Sequence, residues 1–376
     1  VRRGNMKFLH TADWHIGKKL HNFDLKYEED DAFKQIERIA EEEKVDAIII
    51  AGDLYDRSLP SEEAVKSVNE KLKRLNLVDK HPLLIISGNH DSATRLNTGS
   101  EWFKATNLFL NTKISGAFEP VEIEDTQFFL LPYFEPQEVR NYFDRQDLKN
   151  VQEAMQLIVE KIKEKFKPNM KHVLVAHFFA AGSTQTDSET NVMVGGLDAI
   201  PTSYLNDFDY VALGHLHDAR ASQAEIIKYS GSPVKFSVSE ATSQKGVWIV
   251  DTEKISPKFV PLVPVHEINV LEDSFDNLIS PSVYEKYSKE DYYAIRLTDT
   301  KVIPDVINKL RNYYPKILEL RRVGEIQELK AEENKERDLT DPMKLVSDFF
   351  TEVTGEKLTS NQQKWVKNAL KDVNKK

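Results

Sequence analysis

Five apolar runs in this chain each end in side chains that ligate metals. KFLHTADWH delivers Asp13 and His15, and VDAIIIAGDLYD delivers Gly52, Asp53 and Asp56. HPLLIISGNHD ends in Gly88, Asn89, His90 and Asp91. KHVLVAHFFA delivers His177, and FDYVALGHLHD delivers Gly214, His215 and His217. Runs this rich in Val, Ile and Leu are strands covered on both faces. One such ending is an ordinary polar turn; five of them constrain the fold.

Helical patterns lie between the runs. YEEDDAFKQIERIAEEEK carries Phe33, Ile36 and Ile39 on a charged background. SEEAVKSVNEKLKRL repeats apolar residues at three- and four-residue spacing behind Ser61, a good N-cap. VQEAMQLIVEKIKEKF does the same before the fourth run. Strand alternating with helix predicts an α/β architecture, whose ligands bind beyond the carboxyl ends of the strands. The five endings should therefore meet in one place. Gly52, Gly88 and Gly214 sit at the corners, where backbone must turn tightly or approach a ligand.

Asp13, His15, Asp53, Asn89, His177, His215 and His217 are too many donors for one ion. With one carboxylate shared they suit two. The chain has no cysteine, which excludes a thiolate zinc site and suits a reducing cytoplasm. Mixed carboxylate, carboxamide and imidazole donors suit manganese, iron or zinc better than magnesium. Two such ions roughly 3.5–4 Å apart form a clamp for hydrolysis at phosphorus. The other histidines, His10, His21, His81, His172 and His266, are read as ordinary core or surface residues.

Composition limits the alternatives. At 376 residues and 40% hydrophobic content, a large domain with one or two small ones is expected. No apolar stretch is long enough to span a membrane, and VRRGNMKF lacks the apolar region of a secretory leader. Met6 is expected to be the natural start. A net charge of −10 argues against wholesale coating of nucleic acid or membrane, but not against a local groove for phosphates.

DWH, GDLYD, GNHD, the isolated AHFF histidine and GHLH, in this order, resemble the five signatures of the calcineurin-like metallophosphoesterases. MVGGLDAIPTSYLNDFDYVALGHLH and KYSGSPVKFSVSEATSQKGVWIVD carry the likeness further, to the double-strand-break repair nucleases of that superfamily. The resemblance implies a two-sheet sandwich flanked by helices over residues 6–263. In it, 224–263, which reads as short strands, would supply the second sheet. It implies that Asp13, His15 and His217 hold one ion, Asn89, His177 and His215 the other, and Asp53 bridges them. His90 would serve the leaving oxygen as an acid–base group, with Asp56 holding its tautomer. The implied activity is manganese-dependent cleavage of DNA: exonuclease action on duplex ends and endonuclease action on single strands or hairpins. A homodimer and a partner ATPase with a long coiled coil are implied as well.

Residues 264–328 then read strand, helix, strand through DYYAIRLTD, VIPDVINKLRNYY and KILELRRV, a small α/β capping domain for DNA. Lys301, Lys309, Arg311, Lys316, Arg321 and Arg322 are its candidate phosphate contacts. A charged linker, 329–340, leads to a helical partner-binding tail, 341–376. There Asp341-Pro342 opens one amphipathic helix and Thr359 with Gln362 a second. SATRLNTGSEWFKATN, carrying Leu96, Trp102 and Phe103, is the candidate dimer segment. The alternative function is a phosphatase or cyclic-nucleotide phosphodiesterase, because Asp56-Arg57 resembles the place where protein phosphatases grip phosphate.

Overall fold

The computed structural model describes residues 6–184, 199–222 and 224–323, and near the C-terminus 358–359, 361–363 and 365–367. Four parallel strands form first: β1 (Lys7–Thr11), β2 (Ala47–Ala51), β3 (Leu83–Ile86) and β4 (Leu108–Asn111). Next come β5 (Val121–Ile123), β6 (Thr126–Leu130), β7 (Lys171–His177), β8 (Tyr210–Gly214) and β9 (Ile227–Tyr229), a separate sheet in the order β9-β8-β7-β6-β5. β10 (Gly246–Asp251) and β11 (Ser256–Pro261) return to the first sheet, whose order is β11-β10-β1-β2-β3-β4.

The five donor-bearing strands are thus split, with β1, β2 and β3 in one sheet and β7 and β8 in the other. The expectation for residues 224–263 is corrected here. Only β9, three residues long, joins the second sheet; β10 pairs antiparallel with β1, Lys7 opposite Asp251. The reason is burial on both faces. Val250 enters the layer between the sheets, whereas Val247 and Ile249 join the core on the helix side. A strand covered on both faces belongs inside a sheet, beside the free edge of β1. β6, which no motif marks, is fully buried and pairs with β7.

Period-two alternation builds the layers. In β2, Ala47, Ile49 and Ala51 face the second sheet, while Ile48 and Ile50 face α1 (Lys26–Glu43) and α2 (Glu62–Lys73). Ser61 caps α2 by accepting from Ala64 N at 3.2 Å. On the far side, α3 (Pro136–Phe143) and α4 (Val151–Lys163) cover the second sheet with Val139, Met155, Ile158 and Ile162. The result is helix, sheet, sheet, helix, with strand ends from both sheets at one edge.

A three-stranded parallel sheet follows: β12 (Ile268–Asp273), β13 (Tyr292–Leu297) and β14 (Lys316–Arg322), with α5 (Val306–Arg311) between the last two. Ile268, Tyr292 and Leu318 seat it on the core beside α1. The Tyr292 hydroxyl donates to Glu28 Oε1 at 2.7 Å, and His266 Nδ1 lies 2.8 Å from the same oxygen. Among the described residues no helix is long and apolar enough to cross a membrane.

Candidate metal centre

The loops after β1 and β2 run side by side. Asp13 N donates to Gly52 O at 3.1 Å, and His15 N to Asp53 O at 2.9 Å. Asp13, His15, Asp53 and His215 all have left-handed backbone, with φ of 53°, 42°, 51° and 94°. Non-glycine residues adopt this region at a cost, so packing must impose it. Two glycines are dictated by proximity. A Cβ on Gly52, itself at φ 92°, would lie 2.4 Å from His177 Nδ1, and one on Gly88 2.2 Å from Asp53 Oδ1.

Asp13, His15 and His217 bring ligand atoms within 4.8 Å of one another, all buried. His15 Nε2 faces His217 Nε2 at 3.1 Å. A second group converges on Asn89 Oδ1, with His177 Nε2 at 2.9 Å and His215 Nδ1 at 3.1 Å. Asp53 Oδ2 lies between the groups, 3.2 Å from His177 Nε2 and 3.6 Å from His15 Nε2. Its other oxygen accepts from His90 N at 2.8 Å. His177 Nδ1 lies 2.9 Å from Ala51 O, so it donates there and turns Nε2 into the site.

Burial sets the protonation of this cluster. It pushes His15 well below the ordinary imidazole range and His215 down to about 3, so both offer lone pairs. Burial also lowers His217. His177 goes the other way. The Asp53 carboxylate, hydrogen-bonded to it, raises it despite burial. A cation entering there would displace a proton, because an imidazole must be neutral to bind metal. Buried carboxylate and imidazole donors with the half-buried Asn89 carboxamide, and His15 Nδ1 lacking any hydrogen-bond partner among the described residues, fit a pair of divalent cations.

His90 and Asp56 meet through the main chain. His90 Nδ1 is 2.7 Å from Asp56 O, while the Asp56 carboxylate stands 3.5 Å from Lys18 Nζ and 3.9 Å from His15 Nδ1. Arg57 is exposed, 3.7 Å from Asp56. His10, kept out of the ligand set, is a core residue with its nitrogens on the Tyr210 hydroxyl and Leu213 O.

Four further residues shape the site without standing out in the sequence. Asp91 accepts from Leu54 N, Tyr55 N and Gly88 N at 3.2, 3.1 and 3.0 Å, binding the loops after β2 and β3 together. Glu240 and Lys245 form a buried ion pair behind His217. Lys18 lies 5.2 Å over the Phe236 ring, which packs edge-on against His15 and His217. Asp91 closes the GNHD motif, but nothing in the motif gives it a role, and SEATSQK does not separate the ion pair from ordinary surface charge.

A family model described as calcineurin-like phosphoesterase matches residues 6–219, across all five donor-bearing strands. The chain belongs to the calcineurin-like phosphoesterase family. It is a phosphodiester hydrolase. A second model, described as type 5 capsule protein repressor C-terminal domain, matches residues 264–354 of this phosphoesterase. The phosphoesterase is 34% identical over 370 residues to the D subunit of the nuclease SbcCD of Staphylococcus epidermidis, covering 97% of this chain and 98% of that one. It is 33% identical over 371 residues to the protein of the same name from Staphylococcus saprophyticus, with the same coverage.

Proposed function

We propose that the chain is the nuclease subunit of an SbcCD-type complex, a two-metal, manganese-dependent phosphodiesterase acting on DNA. Its substrates are duplex ends, attacked exonucleolytically, and single strands or hairpins, cut internally. Its partner is an SbcC-like ATPase with a long coiled coil, and it works as a homodimer. The observation that carries this reading is the position of Asp53 Oδ2 between two donor groups. Asp13, His15 and His217 hold one ion, and Asn89, His177 and His215 the other. Bound there, the ions would lower the pKa of attacking water and neutralise charge on the phosphoryl oxygens. His90, fixed at Nδ1 by Asp56 O, protonates the departing oxygen from Nε2. The domain from residue 264 guides DNA to the site. Three of its six basic candidates already have partners: Lys316 donates to Glu290 O at 2.7 Å, Arg321 pairs with Glu319 at 2.9 Å, and Arg311 Nη1 donates to Asn308 Oδ1 at 3.5 Å.

Exposed Arg57 beside Asp56 supports a second reading, a phosphatase or cyclic-nucleotide phosphodiesterase built on the same centre. Incubation with manganese separates the two, with linear duplex and single-stranded DNA compared against a small phosphoester. DNA cleavage is expected to dominate, and Asp53→Ala should abolish it on every substrate. Full activity in that variant would sink the two-metal assignment; preference for the small ester would favour the second reading.

A further inference from the structure

The two donor groups are supported differently from behind. His177 donates to a neutral carbonyl, Ala51 O, at 2.9 Å, and the carboxylate near the same nitrogen, Asp13 at 3.9 Å, belongs to the proposed ligand set of the other ion. His217 instead faces a charge outside the ligand set: Glu240 Oε1 lies 3.7 Å from its Nδ1, and the glutamate is fully buried. Glu240 is itself placed by Ser237 Oγ at 3.2 Å and Phe236 N at 3.3 Å. Lys245, also buried, binds Glu240 and reaches past it. Its Nζ donates to His217 O and to Ser232 Oγ, both at 2.8 Å. One ion pair therefore meets His217 at both ends: Lys245 hydrogen-bonds its carbonyl, and the Glu240 carboxylate stands within ion-pair range of its ring.

A buried ion pair is weak evidence for stability, since apolar residues of the same size usually serve as well. This one needs another explanation, and its placement supplies it. A carboxylate at the outer nitrogen of a ligating imidazole fixes the ring and makes the inner nitrogen a stronger donor. We infer that Glu240, with Lys245 as its counter-charge, is a positioning residue for the ion held by Asp13, His15 and His217, and makes that ion the more tightly retained of the two. This inference rests on the two-ion reading above.

The test is a manganese titration of the full-length chain, with bound metal measured by equilibrium dialysis and by electron paramagnetic resonance. His217→Ala and His177→Ala supply the reference signals of single-ion centres. The parent should take up two ions and show a coupled spectrum. Glu240→Ala should weaken one ion by roughly 10–100-fold and leave the other at parental affinity. Its half-loaded spectrum should match that of His217→Ala. Glu240→Gln, which can still orient the ring but carries no charge, should fall between Glu240→Ala and the parent. Should Glu240→Ala fail to fold because Lys245 is left buried and unpaired, Glu240→Gln with Lys245→Met removes both charges at similar volume. That double variant should show the same selective loss. Equal weakening of both ions, or an unchanged titration in a folded variant, would overturn the inference. A parent that binds fewer than two ions would overturn the two-ion reading and this inference with it.

Discussion

In the proposed mechanism His90 acts on the leaving oxygen without holding metal. It follows the donor Asn89, yet its Nδ1 is occupied by Asp56 O at 2.7 Å and its main-chain N–H by Asp53 Oδ1 at 2.8 Å. Both donor groups are complete without it. His90→Ala should therefore keep two ions by elemental analysis and lose cleavage by roughly 10²–10⁴-fold, the usual worth of general acid–base help. Loss of one ion would make His90 a ligand instead. At this scale the convergence of these side chains was legible because each ends an apolar run, and the strand pattern says where the run stops. Asp91, Glu240, Lys245 and Lys18 were not. Their roles come from the loops that they tie together, across separations such as the 37 residues between Leu54 and Asp91, and no local pattern encodes such a contact.

Elements were legible where periodicity was strong. α1, α2 and α4 lie where the three- and four-residue spacing puts them, with Ser61 capping α2. The pairing of strands was not legible. β10 reads as a short strand and β6 is not singled out at all, and a run buried on two faces does not say which neighbour it takes. The segment between β3 and β4 raises a separate question. It folds as short turns, Ala93–Leu96 and Ser100–Phe103, separated by Gly99 at φ 84°. Leu96 packs on the core below, whereas Trp102 is 80% exposed and Phe103 37%. Covering a large apolar side chain is worth roughly 1.5–3 kcal/mol, which favours a second copy over water. We predict a dimer through this segment. Sedimentation at micromolar concentration should show a dimer for the parent and a shift toward monomer for Trp102→Ala. Because Trp102 contributes little to the core, the variant should still fold. A monomeric parent, or a variant that dimerises like the parent, would count against this surface.

At the scale of the whole molecule, the proposed donors all lie within residues 13–217, with Phe236, Glu240 and Lys245 packed behind them, and in the proposed function the domain from residue 264 and the tail serve delivery and assembly. The domain from residue 264 is seated on α1 through Glu28, Tyr292 and His266. Beyond it, the linker 329–340 and the first tail helix, with Leu345, Val346, Phe349, Phe350 and Val353, lie outside the described residues, as does the tail beyond 367. The start of the second tail helix is described. Gln362 N donates to Thr359 Oγ1 at 3.4 Å, and Thr359 N to Gln362 Oε1 at 2.9 Å, a reciprocal capping box. Trp365, on the expected apolar face, is 69% exposed. An amphipathic helix presenting an indole suits docking in an apolar groove, and we predict that the groove belongs to the ATPase of the proposed complex. Removing residues 341–376 should leave manganese-dependent cleavage of single-stranded DNA intact. It should abolish co-purification with the ATPase, and with it ATP-dependent attack on duplex ends. Trp365→Ala should weaken the same association without touching the nuclease. A truncated chain that binds the ATPase at parental affinity would place the docking surface elsewhere on the molecule.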